Sequence, residues 1–133
     1  MKDFTNIRDW AILDSRLYVA GGYSLGRWNE DTLAWDALDR GLPSDTDINS
    51  LAVNRNRIFA VSPVFGSGVW LFDEMSDTWM PVGMQGVPVF IETILSHKSD
   101  LYVASNRGIY RTSLPVVQPY NKAATTWGAL KIE

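Results

Sequence analysis

Arg16-Leu17-Tyr18-Val19-Ala20-Gly21-Gly22, followed by Trp28-Asn29-Glu30-Asp31-Thr32-Leu33-Ala34-Trp35, is an apolar strand, a glycine pair and a polar hairpin framed by two tryptophans. The same plan returns twice. Arg57-Ile58-Phe59-Ala60-Val61 precedes Phe72-Asp73-Glu74-Met75-Ser76-Asp77-Thr78-Trp79. Asp100-Leu101-Tyr102-Val103-Ala104 precedes Tyr120-Asn121-Lys122-Ala123-Ala124-Thr125-Thr126-Trp127. The anchors Leu17, Ile58 and Leu101 lie 41 and 43 residues apart, and Trp35, Trp79 and Trp127 lie 44 and 48 apart. In each unit an aromatic residue stands seven positions before the tryptophan, with Asn or Asp directly after it. A period of roughly 40–50 residues holding several short strands is the mark of a propeller-type array.

Each unit divides into four strands separated by turn residues such as Asp14-Ser15, Asn54-Arg55-Asn56 and Asn106-Arg107-Gly108. The first unit reads as strands 7–13, 17–20, 25–29 and 34–38. The second reads as 48–53, 58–61, 68–73 and 78–82, and the third as 90–95, 101–104, 108–112 and 126–132. Helical periodicity is weak. Its best rival, residues 29–40, overlaps the Trp28-to-Trp35 spacing, which reads better as a hairpin. The expected fold is all-β: three four-stranded antiparallel blades over about residues 5–40, 46–84 and 88–133.

The first unit resembles the kelch family, in which a Gly pair ends the second strand and an aromatic-Asp motif leads to a Trp on the outer strand. The later units read Val61-Ser62-Pro63 and Ala104-Ser105-Asn106 where the first has its Gly pair. A second resemblance runs through Gly41-Leu42-Pro43-Ser44-Asp45-Thr46-Asp47-Ile48-Asn49-Ser50-Leu51-Ala52, which looks like a blade junction in the sensor propellers of two-component regulators. Leu101–Arg111 is similar to that group and to sialidase-like repeats.

Three blades do not close a ring, since propellers normally have four to eight. Two blade faces would be left open, and an apolar face of that size is a liability or an interface. Of the multiples of three only six falls within that range, so two copies are expected to form one six-bladed ring. A fragment of a longer propeller, and a subunit completed by a different protein, stay open beside the homodimer.

Bulk composition bounds the rest. The chain has 133 residues, 46% hydrophobic and 20% charged, with six Trp and a net charge of −3. It is long enough to bury a core and too apolar to be disordered. Charges of both signs are interspersed, so no basic stripe points to nucleic acid. There are no cysteines, hence no disulfide, thiol chemistry or thiolate metal site. No apolar run suits a signal core or a membrane helix, so the default expectation is a soluble cytoplasmic protein with no membrane partner.

Catalytic machinery is not visible, and neither a cofactor nor a metal is expected. His97, the sole histidine, falls in the turn His97-Lys98-Ser99-Asp100, and general-base or metal roles need convergent partners. Asp45-Thr46-Asp47-Ile48-Asn49 opens like a calcium loop but lacks the Gly and the terminal Glu of an EF-hand. Its plain reading is a polar connection whose Asp satisfies backbone N–H groups. Asp73-Glu74 belongs to the repeat, and the arginines flank strands or turns instead of surrounding a Tyr. The recurring Trp35, Trp79 and Trp127 read as filler between blades before they read as sugar platforms. Trp10 and Trp70 do not recur, and are the better candidates for exposed or channel-facing rings.

Ligands of closed propellers usually meet one channel mouth, lined by second-to-third-strand loops and blade connections. Here those positions are Tyr23, Ser24, Phe65, Asn106 and Arg107 on loops, with Asp45, Asp47 and Gln85 on connections. They read equally as ordinary loop residues. The leading expectation is a non-catalytic module for a protein or peptide, followed by a lectin-like glycan binder and then by a sialidase-like enzyme.

Overall fold

The structure is a computed structural model that describes residues 6–21, 24–43, 47–62, 68–82, 91–113 and 128–129. Twelve strands occur among the described residues. They are β1 (Ile7–Leu13), β2 (Arg16–Gly21), β3 (Ser24–Asn29), β4 (Ala34–Ala37), β5 (Ser50–Asn54), β6 (Arg57–Val61), β7 (Val69–Asp73), β8 (Thr78–Pro81), β9 (Ile91–His97), β10 (Asp100–Ser105), β11 (Gly108–Ser113) and β12 (Gly128–Ala129). They form three four-stranded antiparallel sheets, β1-β2-β3-β4, β5-β6-β7-β8 and β9-β10-β11-β12, each ordered as in the chain. The first strands of the sheets, β1, β5 and β9, lie side by side, so the sheets stack face to face around a common inner edge.

The hairpins follow from local chemistry. Asp14 and Ser15 both take positive φ between β1 and β2, as do Arg55 and Asn56 between β5 and β6. Two left-handed residues make the tight hairpin turn whose twist matches that of the strands. In the outer hairpins Trp28 pairs with Trp35 and Phe72 with Trp79, which accounts for the seven-residue spacing. The rings touch, with centroids 5.1 Å and 5.0 Å apart.

In the first two sheets the Asn or Asp after the aromatic organises the turn. Asn29 Oδ1 accepts the N–H groups of Asp31 at 2.9 Å and Thr32 at 3.2 Å. Asp73 Oδ1 accepts Met75 N–H at 3.0 Å, and Oδ2 accepts the Ser76 hydroxyl at 2.8 Å. Such side-chain caps stand in for backbone partners that the turn cannot supply. The repeat motif is therefore a hairpin-closing device.

Two apolar clusters fill the seams between sheets. One joins Leu13, Tyr18, Ala20, Leu25 and Leu38 to Ile48, Leu51, Ile58, Trp70, Phe72 and Trp79 of the next sheet. The other joins Phe59, Val61, Val69 and Leu71 to Ile91, Ile94, Leu101 and Val103. Fully burying one such side chain contributes about 1.5–3 kcal/mol, so the seams carry most of the stabilisation.

Trp79 clamps the first seam. Its Nε1 donates to Leu38 O at 2.7 Å and its backbone N to Arg40 O at 2.9 Å, on the segment joining the first sheet to the second. Gly41 has φ +92°, and a Cβ there would lie 2.4 Å from the Trp79 carbonyl oxygen. Only glycine fits this close approach. Trp79 is a buried filler between sheets, whereas Trp35 is only half-buried and Trp127 lies outside the described residues.

Three readings of the sequence need correction. Trp70 is buried in the first seam rather than exposed, because its position faces the preceding sheet whatever residue occupies it. His97 closes β9 instead of lying in the turn, since the ladder with Asp100 runs one pair further. Ser24 likewise opens β3, paired with Gly21.

Candidate functional site

Leu17, Ile58 and Leu101 put the three sheets in a common frame. Seven positions before each anchor stand Trp10, Leu51 and Ile94, and ten before stand Ile7, Ile48 and Ile91. Leu51 and Ile94 are 6% and 4% exposed, whereas Trp10 is 68% exposed. Ile48 and Ile91 are 0% and 4% exposed, against 47% for Ile7. In the second and third sheets this face is covered by the sheet before it. Among the described residues the first sheet has no such cover.

The opposite face behaves the same way at the other end. Ala52 is buried by the third sheet, while its counterpart Leu95 is 61% exposed. Leu25 and Val69 are buried in the two seams, while Ile109 at the matching position is 40% exposed. Ile12 on β1 adds to the first uncovered face. Exposed large apolar side chains therefore gather on two faces, with Leu33 and Met75 at hairpin turns as the remainder among the described residues. Large apolar side chains left exposed on one face of a sheet make that face a candidate interaction surface.

Polar contacts across the seams repeat too. Eight positions before the anchors stand Asp9, Ser50 and Thr93. Leu51 N donates to Asp9 Oδ2 at 2.7 Å, and Ile94 N donates to Ser50 Oγ at 3.1 Å. In each seam an oxygen on one inner strand captures an amide of the next, sparing the cost of an unpaired buried N–H. Arg8 reinforces the first seam through Nη1, which donates to Asp47 Oδ2 at 2.7 Å and to Asn49 Oδ1. Further out, Arg27 reaches Asp77 at 3.3 Å. Burial works against charge on the Arg27 guanidinium, but Asp77 and the Tyr18 hydroxyl beside it outweigh that, so its pKa stays above the ordinary value.

The positions expected at a channel mouth are only partly placed. Tyr23, Asp45, Phe65 and Gln85 lie outside the described residues. Asp47 stands before β5 and is engaged by Arg8, a side-chain partner where a backbone amide was expected. Asn106 and Arg107 form the exposed two-residue turn between β10 and β11, where Arg107 N donates to Ser105 Oγ at 3.1 Å. The contacts of Asp47 and Arg107 do not bring the two together.

A groove of about 550 Å3 opens beside the outer hairpin of the first sheet, lined by Arg16, Arg27, Trp28, Asn29, Asp31 and Asp36 among others. Trp28 corresponds to Phe72, which is buried under the preceding sheet, so this groove borders the uncovered face.

No protein-family model matches the chain, and no curated protein matches it. Solved structures do. The extracellular domain of BT4673 from B. thetaiotaomicron, described as a one-component and as a hybrid two-component system, superposes with a TM-score of 0.70 at 17% identity. That match covers 97% of this chain and 16% of the other. U3-55K matches with a TM-score of 0.66 at 12% identity over 85% of this chain and 37% of that one. The RRP9 WD40 repeats match with a TM-score of 0.64 at 12% identity over 96% and 40%. The chain thus spans well under half the length of each of these propeller-type neighbours. Stacked four-stranded meanders, inner strands side by side and these likenesses together make it a β-propeller-like repeat fold.

Proposed function

We propose that the chain is a non-catalytic interaction module: three kelch-like blades that pair with a second copy to close a six-bladed ring. The ring presents the loops at one channel mouth to a protein or peptide. The carrying observation is Trp10, 68% exposed where its counterparts Leu51 and Ile94 are buried by a neighbouring sheet. A face built for cover calls for a blade to cover it, and two copies supply both missing covers at once. The neighbours among solved structures, WD40 repeats included, are longer arrays of the same kind, which supports completion by further blades.

A non-catalytic role fits the use of the ionisable groups. Arg8 pairs with Asp47, Arg27 with Asp77, Asp9 holds an amide and Asp73 closes a turn, so each serves the scaffold. The kelch-like form of the repeat rests on Gly21-Gly22 and on the aromatic-Asn/Asp hairpins of the sequence.

Selection from a random peptide library against the purified protein tests the ligand class. Enriched peptides should lose affinity on Arg107→Ala, because Arg107 lies on a loop at the expected mouth. Glycan-array binding with no peptide enrichment would overturn this reading in favour of the lectin-like one.

A further inference from the structure

We infer that the closing seam between two copies is a specific joint, in which Thr93 of one chain receives the Trp10 amide of the other and Glu92 of one faces Arg8 of the other. This rests on the ring reading above. It adds which face meets which, and through what contacts.

The two internal seams supply the pattern. The residue eight positions before the anchor offers a side-chain oxygen forward, and the amide seven before the next anchor fills it: Leu51 on Asp9, then Ile94 on Ser50. The third member of the series is Thr93, an exposed residue of the last sheet whose hydroxyl lies 3.1 Å from Ser50 Oγ and keeps a lone pair to accept a further donor. The matching amide with no sheet before it is that of Trp10, which donates to its own neighbour Asp9 Oδ1 at 2.8 Å. Acceptor and donor sit at opposite ends of one chain, so a second copy brings them together.

Charge points the same way. Nine positions before the anchors stand Arg8, Asn49 and Glu92, and Arg8 contacts Asn49 across the first seam. Continuing the series past the last sheet sets Glu92 against Arg8 of the next chain. Arg8 retains 40% side-chain exposure although its Nη1 is engaged by Asp47. Pairing like faces would instead oppose Arg8 with Arg8, and like charges across an interface are disfavoured. The apolar complement is equally directional, with Leu95 and Ile109 on one face and Ile7 and Trp10 on the other.

The absence of cysteine permits a clean test. Thr93→Cys and Trp10→Cys chains are made separately, mixed and mildly oxidised, while light scattering reports whether chains associate. Ser50→Cys/Ile94→Cys in one chain serves as the internal-seam control. The inference expects a two-chain disulfide species from the mixture and none from either variant alone. A dimer whose mixture stays uncrosslinked while the control closes overturns the joint and leaves the ring. Crosslinking of Trp10→Cys with itself also overturns it, since like faces would then meet. A protein that stays monomeric overturns the ring as well. As a second arm without cysteine, Glu92→Lys should weaken association about tenfold or more, and Arg8→Glu/Glu92→Lys should recover part of it. Equal association in Glu92→Lys and the unmodified chain would contradict the charge pairing.

Discussion

Leu51 N–H points into the carboxylate of Asp9 at 2.7 Å, across the boundary between two sheets that are otherwise joined by apolar packing. The contact falls beside an irregularity in the β1–β2 ladder between Ile7 and Asp9, and the β9–β10 ladder is irregular at the matching place. Leu51 stands on β5, the edge strand of its sheet, where an amide turned away from β6 needs a partner elsewhere. The neighbouring sheet provides it.

Asp9→Ala removes that partner and leaves the Leu51 amide unsatisfied. Stability should fall by about 1–3 kcal/mol, read as a lower midpoint in urea unfolding. Asp9→Asn keeps an acceptor and should lose clearly less. Equal losses would mean that charge, not the hydrogen bond, sets the effect.

Gly41→Ala combines a left-handed backbone with a Cβ placed 2.4 Å from the Trp79 carbonyl oxygen. Strained φ and overpacking add up to at least about 2 kcal/mol of destabilisation. Thermal unfolding would show it as a drop of several degrees. A neutral result would show that the segment joining the sheets can move away from Trp79.

Leu33 holds φ +55° at the tip of an exposed hairpin, at the position occupied by Asp77 in the second sheet. Leu33→Asn should stabilise by about 0.5–1 kcal/mol, because Asn tolerates the left-handed region better than Leu. The gain would appear as a raised urea midpoint with an unchanged slope.

The strands were legible because an anchor, an aromatic and a Trp recur at fixed distances, and the hairpin register follows from those distances. Burial was harder to read. Gly26, Trp70 and Tyr110 occupy one structural position, and their sizes differ so much that Trp70 looked irregular. The seam acceptors Asp9 and Ser50 share only an oxygen, so no residue type repeats there to draw attention. That Trp10 is bare while Leu51 is buried depends on which sheet lacks a neighbour, a property of the stack and not of any segment. Of the expected channel-mouth positions, Asp47, Asn106 and Arg107 were placed with their side chains, and Ser24 by its backbone alone.

Trp10→Glu separates the fold of one chain from its association. The ring is already exposed in the single chain, so unfolding of the monomer should change by no more than about 0.5 kcal/mol. Association should be lost. Leu51→Ala, at the covered counterpart, should instead cost about 2–5 kcal/mol of folding stability. A Trp10→Glu chain that associates as before would remove Trp10 from the interface.

In the proposed ring the two uncovered faces are one mated pair that closes on a second copy. Light scattering after size exclusion, repeated over a hundredfold dilution, measures it directly. A constant mass near twice 14.9 kDa is expected. A well-folded monomer at every concentration, or a mass that climbs without limit, would contradict it.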